Sequence, residues 1–201
     1  IDGKEVYPYV DFDEFHPHEF YQRLRDGVMP QTSAISPEAY TAYFEPFFQK
    51  GDDILYVHFS AAMSGTFNAM HLAVQELLQK YPERHFYTVD TKGITICSNN
   101  IVKEIGDLYL RGATAQEILD WADREVDKFA IYFYADNLKF FQRSGRVSGF
   151  SAAMGNLIGI KPIIYMSSEG VMTSLAKGRG RKKTLSMIVD YVENLQENIR
   201  D

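Results

Sequence analysis

The stretch Tyr56-Val-His-Phe-Ser-Ala-Ala-Met-Ser-Gly-Thr-Phe-Asn-Ala-Met70 runs from an apolar segment through a bend of small residues into a second apolar segment. Residues 53–59 form a mostly apolar run of strand length. After the bend, the apolar residues recur at helical spacing, at Phe67, Met70, Val74, Leu77 and Leu78. The stretch therefore predicts a strand that leads directly into a helix.

The alternation of strands and helices continues on both sides of this stretch. Upstream, Ser36-Pro37 predicts the start of a helix that ends at Gly51. Downstream, residues 86–89 predict a second strand, which is followed by a helix that ends near Gly112. The capping box Thr114-Ala-Gln-Glu117 begins a further helix. This order of elements predicts a parallel sheet covered by helices on both faces, an α/β/α arrangement of three layers.

The bend follows the carboxyl end of its strand, which is where ligands bind in open parallel sheets. Backbone N–H groups at the helix start and the hydroxyls of Ser60, Ser64 and Thr66 suit a carboxylate or a phosphate. Ser64 taken alone is equally typical of a helix cap. A catalytic serine is disfavoured, since neither serine lies in a Gly-x-Ser-x-Gly elbow and no base other than His58 is near. For the whole bend we favour anion binding.

After about residue 128 the pattern changes to strands joined by a tight turn. Residues 161–166 and 171–176 predict a hairpin in which Gly170 supplies the positive φ of the turn. The other predicted elements are a strand at 130–135, a short helix at 136–143, a helix of small residues at 148–158 and an amphipathic helix at 185–195. We therefore predict two domains, a parallel-sheet α/β domain at 1–128 and a smaller mixed α/β domain at 129–201.

The composition excludes several classes of protein. The chain has 201 residues and a net charge of −6, which argues against general binding of nucleic acid. Its single cysteine, Cys97, excludes a disulfide framework and suits a reducing compartment. The five histidines show no spacing typical of metal ligands. No apolar run approaches the ~20 residues that span a bilayer. We therefore expect a cytoplasmic globular protein without a metal or a cofactor.

Two further polar segments are weaker signals. Thr32-Ser33 is a second loop that carries hydroxyls before a helix, and by itself it is typical of turn and cap chemistry. Arg179-Gly-Arg-Lys-Lys183 is the densest positive run of an acidic chain, at a predicted helix start where cations oppose the helix dipole. This run is either a solvated turn or a surface for a phosphate or an acidic protein.

Six segments occur together in the order and approximate spacing of the DegV family. They are Thr32-Ser33, Ser60-x-x-x-Ser64-Gly-Thr66, Val89-Asp90-Thr91, Gly145-Arg146-Val147-Ser148, Gly159-Ile-Lys-Pro-Ile163 and Lys177-x-Arg-Gly-Arg-Lys-Lys183. The chain therefore resembles DegV proteins over residues 30–183. The resemblance implies two α/β domains that bind a long-chain fatty acid between them, in some bacteria as the binding subunit of fatty acid kinase. A separate catalytic subunit of that kinase phosphorylates the acyl carboxylate with ATP.

The resemblance also implies roles for individual residues. Hydroxyls of Thr32 or Ser33 and of Ser60 would hold the carboxylate, with Ser64 as a second donor in the bend. The basic residues expected to contact the kinase subunit or its nucleotide are Arg146, Arg179, Arg181 and Lys182. A lipid ligand would also permit transient contact with a membrane.

Three departures from the family pattern concern the completeness of the site. Ala61 stands where many relatives have a second serine. The family's first strand has no counterpart before Ile1, and a histidine that binds the carboxylate beyond Asn198 has none either. We therefore expect the chain to be a fragment whose ligand tunnel is open on one side.

The sequence leaves three functions to be distinguished. The favoured one is fatty-acid binding without catalysis, because neutral hydroxyls can orient a carboxylate without attacking it. The second is a hydrolase or acyl transferase with Ser60 as nucleophile, for which no acid–base partner is evident. The third is a regulatory or interaction domain that acts without a lipid.

Overall fold

The computed structural model describes residues 16–136 and 159–195. In chain order the helices and strands are α1 (Pro17–Arg25), α2 (Pro37–Lys50), β1 (Ile54–His58), α3 (Thr66–Lys80), β2 (Phe86–Asp90), α4 (Thr95–Leu110), α5 (Ala115–Glu125), β3 (Tyr132–Tyr134), β4 (Ile160–Met166), β5 (Met172–Arg179) and α6 (Gly180–Leu195). The chain divides into two compact units, residues 1–35 and residues 36–201. Helix α1 belongs to the first unit and all the other elements belong to the second. Two predicted helices fall on residues that the structure does not describe. They are the helix at 148–158 and, except for residue 136, the helix at 136–143.

The ends of two helices follow the signals in the sequence. At the start of α2 the Ala39 N–H donates to the Ser36 hydroxyl at 3.3 Å, and α2 ends at Gly51 with φ +90°. At the start of α5 the Thr114 hydroxyl accepts from the Glu117 N–H, and the Glu117 carboxylate accepts from the Thr114 N–H at 2.8 Å. Both predicted caps are therefore confirmed, and the capping box is complete.

Strands β1 and β2 form the predicted parallel pair, in register from Ile54 opposite Phe86 to His58 opposite Asp90. Because side chains alternate between the faces of a strand, β1 contributes to two different cores. Tyr56 packs against the core between the sheet and helices α2 and α3. Val57 packs against the core between the sheet and helices α4 and α5. The prediction of helices on both faces is confirmed.

The two cores consist mainly of apolar side chains. The first contains Tyr40, Phe44, Phe48, Phe67, Met70, Ala73, Val74 and Leu77. The second contains Val89, Cys97, Ile101, Ile105, Ile118, Ala122 and Val126. Their burial fixes the carboxyl ends of β1 and β2 side by side at one edge of the sheet.

Strands β3, β4 and β5 form a second, antiparallel sheet in that order. Ile163 and Ile164 are adjacent on β4 and are both fully buried, with a bulge in the pairing to β5 between them. The predicted hairpin is confirmed, with Gly170 at φ +74° in its turn. The domain boundary predicted at residues 128 and 129 falls between the two sheets and stays a prediction. Within the described part of the chain, no helix is both long and apolar enough to cross a membrane.

Candidate functional site

Ser60 occupies the carboxyl end of β1 and is completely buried. Its backbone N–H donates to the Gly93 carbonyl at 2.8 Å, which ties the bend to the loop after β2. Its hydroxyl donates to the Gly170 carbonyl at 2.6 Å, which ties the bend to the β4–β5 turn. Ser60 therefore connects three segments that are distant in sequence.

The β4–β5 turn, residues 167–170, approaches this edge of the parallel sheet closely. A Cβ on Gly170 would lie 2.3 Å from the Ser60 Oγ and 3.5 Å from the Lys92 Cα. Only a glycine fits there, since the φ of +74° also disfavours any side chain. The turn of the second sheet thus forms one wall of the edge where a ligand site was predicted.

An internal carboxylate occupies part of the predicted anion site. Asp90, at the end of β2, accepts from the Ala61 N–H at 3.2 Å and from the Lys92 N–H at 2.8 Å. The first backbone donor of the bend is therefore already paired with a negative charge. An external anion at the bend would depend on hydroxyl donors rather than on the Ala61 N–H.

The other two hydroxyls of the bend differ in their partners. Thr66 is buried, and its hydroxyl shares a hydrogen bond of 3.0 Å with the Tyr40 hydroxyl. Ser64 is half-buried, and its oxygen accepts from the Thr66 N–H at 3.2 Å. The N-cap position of α3 is occupied by Gly65, so the alternative that Ser64 caps this helix is wrong. Among the described residues, no acceptor pairs with the Ser64 hydroxyl proton. Ser64 can therefore accept the Thr66 N–H and still donate to a ligand.

His58 is not positioned as a base for Ser60. The imidazole is buried, its Nδ1 donates to the Phe59 carbonyl at 2.7 Å, and its ring centroid lies 4.2 Å from that of Phe67. The Ser60 hydroxyl donates to a carbonyl instead. This geometry lacks the serine–histidine hydrogen bond that an activated nucleophile uses.

The connection from β2 into the first residue of α4 has a strained backbone. Lys92 and Thr95 have φ values of +48° and +51°, which are uncommon for residues other than glycine. Gly93 lies between them, and a Cβ there would meet the Cys97 Sγ at 2.9 Å. Such conformations persist only where the surrounding structure imposes them, and they cluster at ligand sites.

A cavity of about 240 Å³ lies between this loop and the β4–β5 turn. Its polar lining consists of Thr91, Lys92, Asp127, Ser167 and Ser168. Its remaining lining is formed by Cys97, Val126, Phe129, Ala130, Ile131, Tyr132, Tyr165 and Met166. The cavity is therefore amphiphilic, as a site for a lipid with a polar group would be.

Two ionisable groups of this cavity form an ion pair. The Lys92 ammonium lies 2.7 Å from the Asp127 carboxylate, and both side chains are partly exposed. Burial raises the pKa of the Cys97 thiol. The thiol is therefore neutral near pH 7 and acts as part of the apolar wall.

The remaining predicted site residues lie elsewhere. Thr32 and Ser33 are exposed residues of the first unit, in the irregular segment before Ser36, so their sharing a ligand with the bend stays a prediction. The basic residues Arg179, Arg181 and Lys182 are exposed at the junction of β5 and α6. Arg146 lies outside the described residues.

Lys92 and Ser167 are among the cavity residues that sequence reasoning missed. Lys92 follows a predicted strand of a parallel sheet, so its position at the carboxyl edge was a usable signal. Ser167 had no such signal, because a serine in a hairpin turn is ordinary turn chemistry.

Comparison with known proteins identifies the family. The sequence model described as an uncharacterised protein of the DegV family matches residues 1–200. The chain belongs to the DegV family. A DegV domain-containing protein of Clostridium perfringens is 36% identical over 193 residues, which cover 96% of this chain and 66% of that protein. A DegV domain-containing protein of Caldanaerobacter subterraneus is 27% identical over 194 residues, with the same coverage of 96% and 66%. The chain thus spans just under two thirds of the length of these DegV relatives.

Solved DegV structures share the fold. A DegV family protein from Thermus thermophilus, described by its fatty-acid binding, matches with a TM-score of 0.79 at 28% identity, over 94% of this chain and 65% of that one. The fatty acid kinase B3 protein of Streptococcus pneumoniae, loaded with linoleic acid, matches with a TM-score of 0.76 at 21% identity. The match covers 90% of this chain and 63% of that one. The two-domain DegV fold is therefore established for this chain.

Proposed function

We propose that this chain binds a long-chain fatty acid and presents its carboxylate to a separate kinase subunit, without itself catalysing a reaction. The observation that carries the proposal is the match to the fatty-acid-binding DegV protein of Thermus thermophilus at a TM-score of 0.79. The amphiphilic cavity at the edge of the parallel sheet supports it independently. The single cysteine suits a reducing compartment, so we place this function in the cytoplasm.

The energetics favour a ligand with a long apolar chain. Each buried methylene contributes ~0.8 kcal/mol, so the acyl chain alone can supply tight binding. The polar end then needs only orientation and hydrogen-bond donors. Neutral hydroxyls provide both and leave a carboxylate oxygen available for phosphoryl transfer.

The proposed donors to the carboxylate are the hydroxyls of Thr32 or Ser33, Ser60 and Ser64. Ser64 is the more available serine of the bend, because the Ser60 hydroxyl proton is engaged by the Gly170 carbonyl. Ser60 can donate to a ligand only by releasing Gly170. Ala61 offers no hydroxyl, so the bend has fewer donors than two adjacent serines would give.

The proposed partner is the catalytic subunit of a fatty acid kinase. The name of the structural relative from Streptococcus pneumoniae motivates this partner, and the exposed basic residues at the start of α6 supply a surface for it. Arg179, Arg181 and Lys182, together with Arg146, would meet an acidic surface or the phosphates of a bound nucleotide.

Mass spectrometry of small molecules extracted from the purified chain tests the binding proposal. We expect one long-chain fatty acid per chain, and native mass spectrometry should show the same mass on the folded protein. A chain that carries no lipid and gains no mass on incubation with palmitic, stearic or oleic acid would contradict the proposed function.

A further inference from the structure

The hydroxyl of Ser167 is buried at the cavity wall without a hydrogen-bond partner among the described residues. The backbone of Ser167 is fully engaged, since its N–H donates to the Val171 carbonyl and its carbonyl accepts from the Gly170 N–H, both at 2.9 Å. The turn therefore does not need the side chain for its own geometry. A buried hydroxyl without a partner costs free energy that a ligand atom can recover.

The Glu169 carboxylate does not satisfy the Ser167 hydroxyl. Ser167 is close enough to the Glu169 carboxylate to hold the pKa of that carboxyl below its usual value, with further contributions from the backbone and from Ser168. No hydrogen bond of ordinary geometry joins Ser167 to it. Glu169 already accepts from the Ser168 hydroxyl at 3.0 Å. The Ser167 proton is therefore available to a better acceptor.

The charges of the side chains around the cavity disfavour an anionic group of a ligand there. The Lys92 ammonium is paired with Asp127 at 2.7 Å, and the same ammonium lies close enough to Glu169 to lower the pKa of that carboxyl. Two carboxylates thus surround one ammonium. A neutral polar atom fits this environment better than an additional negative charge.

The rest of the cavity wall is mostly apolar, so the part of the ligand that surrounds its polar atom should be apolar as well. Phe129, Ile131, Tyr165 and Met166 are among the residues that line the cavity. Its volume of about 240 Å³ is below the ~300 Å³ at which ligand pockets for whole small molecules begin. The cavity is therefore suited to a segment of a longer ligand.

We propose that Ser167 hydrogen-bonds a neutral hydroxyl or carbonyl oxygen on the chain of an otherwise apolar ligand. This inference rests on the proposed function and narrows its ligand class to fatty acids that carry an oxygen along the acyl chain. Sites built to bind a hydroxyl discriminate strongly against analogues that lack it, because the protein group is then left unpaired.

Equilibrium binding of stearic acid and of hydroxystearic acids with the hydroxyl at different chain positions tests the inference on the whole chain. We expect at least one hydroxystearic acid to bind about tenfold more tightly than stearic acid. Ser167→Ala should abolish this preference. Ser168→Ala is the matched control and should retain the preference, because that hydroxyl already donates to Glu169.

Thermal unfolding of the ligand-free chain supplies a second readout. Ser167→Ala should leave the Tm unchanged or raise it, because it removes a hydroxyl that has no partner. Equal affinity for all the fatty acids, or a preference that survives Ser167→Ala, would overturn the inference while leaving the proposed function intact. A lowered Tm would also overturn it, since the hydroxyl would then have a structural partner. Failure to bind any of the fatty acids would overturn both proposals.

Discussion

Gly170→Ala should lower the free energy of unfolding by about 2–5 kcal/mol, through a left-handed backbone penalty of ~1–2 kcal/mol and a disrupted buried hydrogen bond of ~1–3 kcal/mol. The added Cβ would lie 2.3 Å from the Ser60 Oγ, at a φ of +74°. Because Ser60 is completely buried, its hydroxyl cannot rotate into water to avoid the contact. Chemical denaturation of the unsubstituted protein and of the Gly170→Ala variant measures the difference in free energy of unfolding.

Gly112→Ala is the matched control for this substitution. Gly112 also has a positive φ, +89°, but nothing lies within 4 Å of a Cβ added there. It should therefore show the backbone penalty alone. If Gly170→Ala lowers the free energy of unfolding no more than Gly112→Ala does, the β4–β5 turn does not pack against the bend as described.

A double-mutant cycle separates the contact from the backbone strain. Ser60→Ala alone removes the donor and leaves the Gly170 carbonyl without it, which should be destabilising. Combined with Gly170→Ala, it also removes the atom that the new Cβ would meet, although the Ser60 Cβ at 3.3 Å remains. The double variant should therefore be more stable than the sum of the two single effects predicts.

The layers and helix ends of this fold could be predicted from sequence because their causes are local. Ser36 and Thr114 each precede a proline or a glutamate at the spacing that caps need, and the structure forms both caps. The turn at Gly170 was predictable for the same reason, since a positive φ favours glycine.

The partners of the hydroxyl groups could not be predicted in the same way. Ser60 and Gly170 are 110 positions apart, and no periodicity links them. A serine at a strand end is compatible with a ligand and with a backbone carbonyl alike. Asp90 presents the same difficulty, because a carboxylate at a strand end can bind a ligand or, as here, the Ala61 N–H. The sequence thus indicated where polar groups gather, but not which of them remain available to a ligand.

The basic surface at the start of α6 leads to the second large effect. Reversing Arg179 and Arg181 together to Glu is expected to abolish acyl-phosphate formation while fatty-acid binding persists. Both residues are exposed, and the segment is held in place by the Gly180 N–H, which donates to the Gly159 carbonyl at 2.8 Å. The guanidinium groups can therefore meet a partner without moving the cavity. Acyl-phosphate formation with ATP and a fatty acid kinase catalytic subunit measures the effect.

The charge around Arg181 shows why reversal should act more strongly than neutralisation. Lys161 pairs with the Asp136 carboxylate at 2.7 Å, and Lys161 first and Arg181 second hold the pKa of that carboxyl below its usual value. A glutamate at position 181 would therefore add a like charge beside Asp136 and make the surface repel an acidic partner. The double variant Lys103→Glu/Arg111→Glu carries the same change in net charge at exposed positions on and just after α4, and it should retain activity. Equal activity in both double variants would show that the kinase subunit does not bind at this surface. If the Arg179→Glu/Arg181→Glu variant also lost fatty-acid binding, the arginines would act through the fold instead.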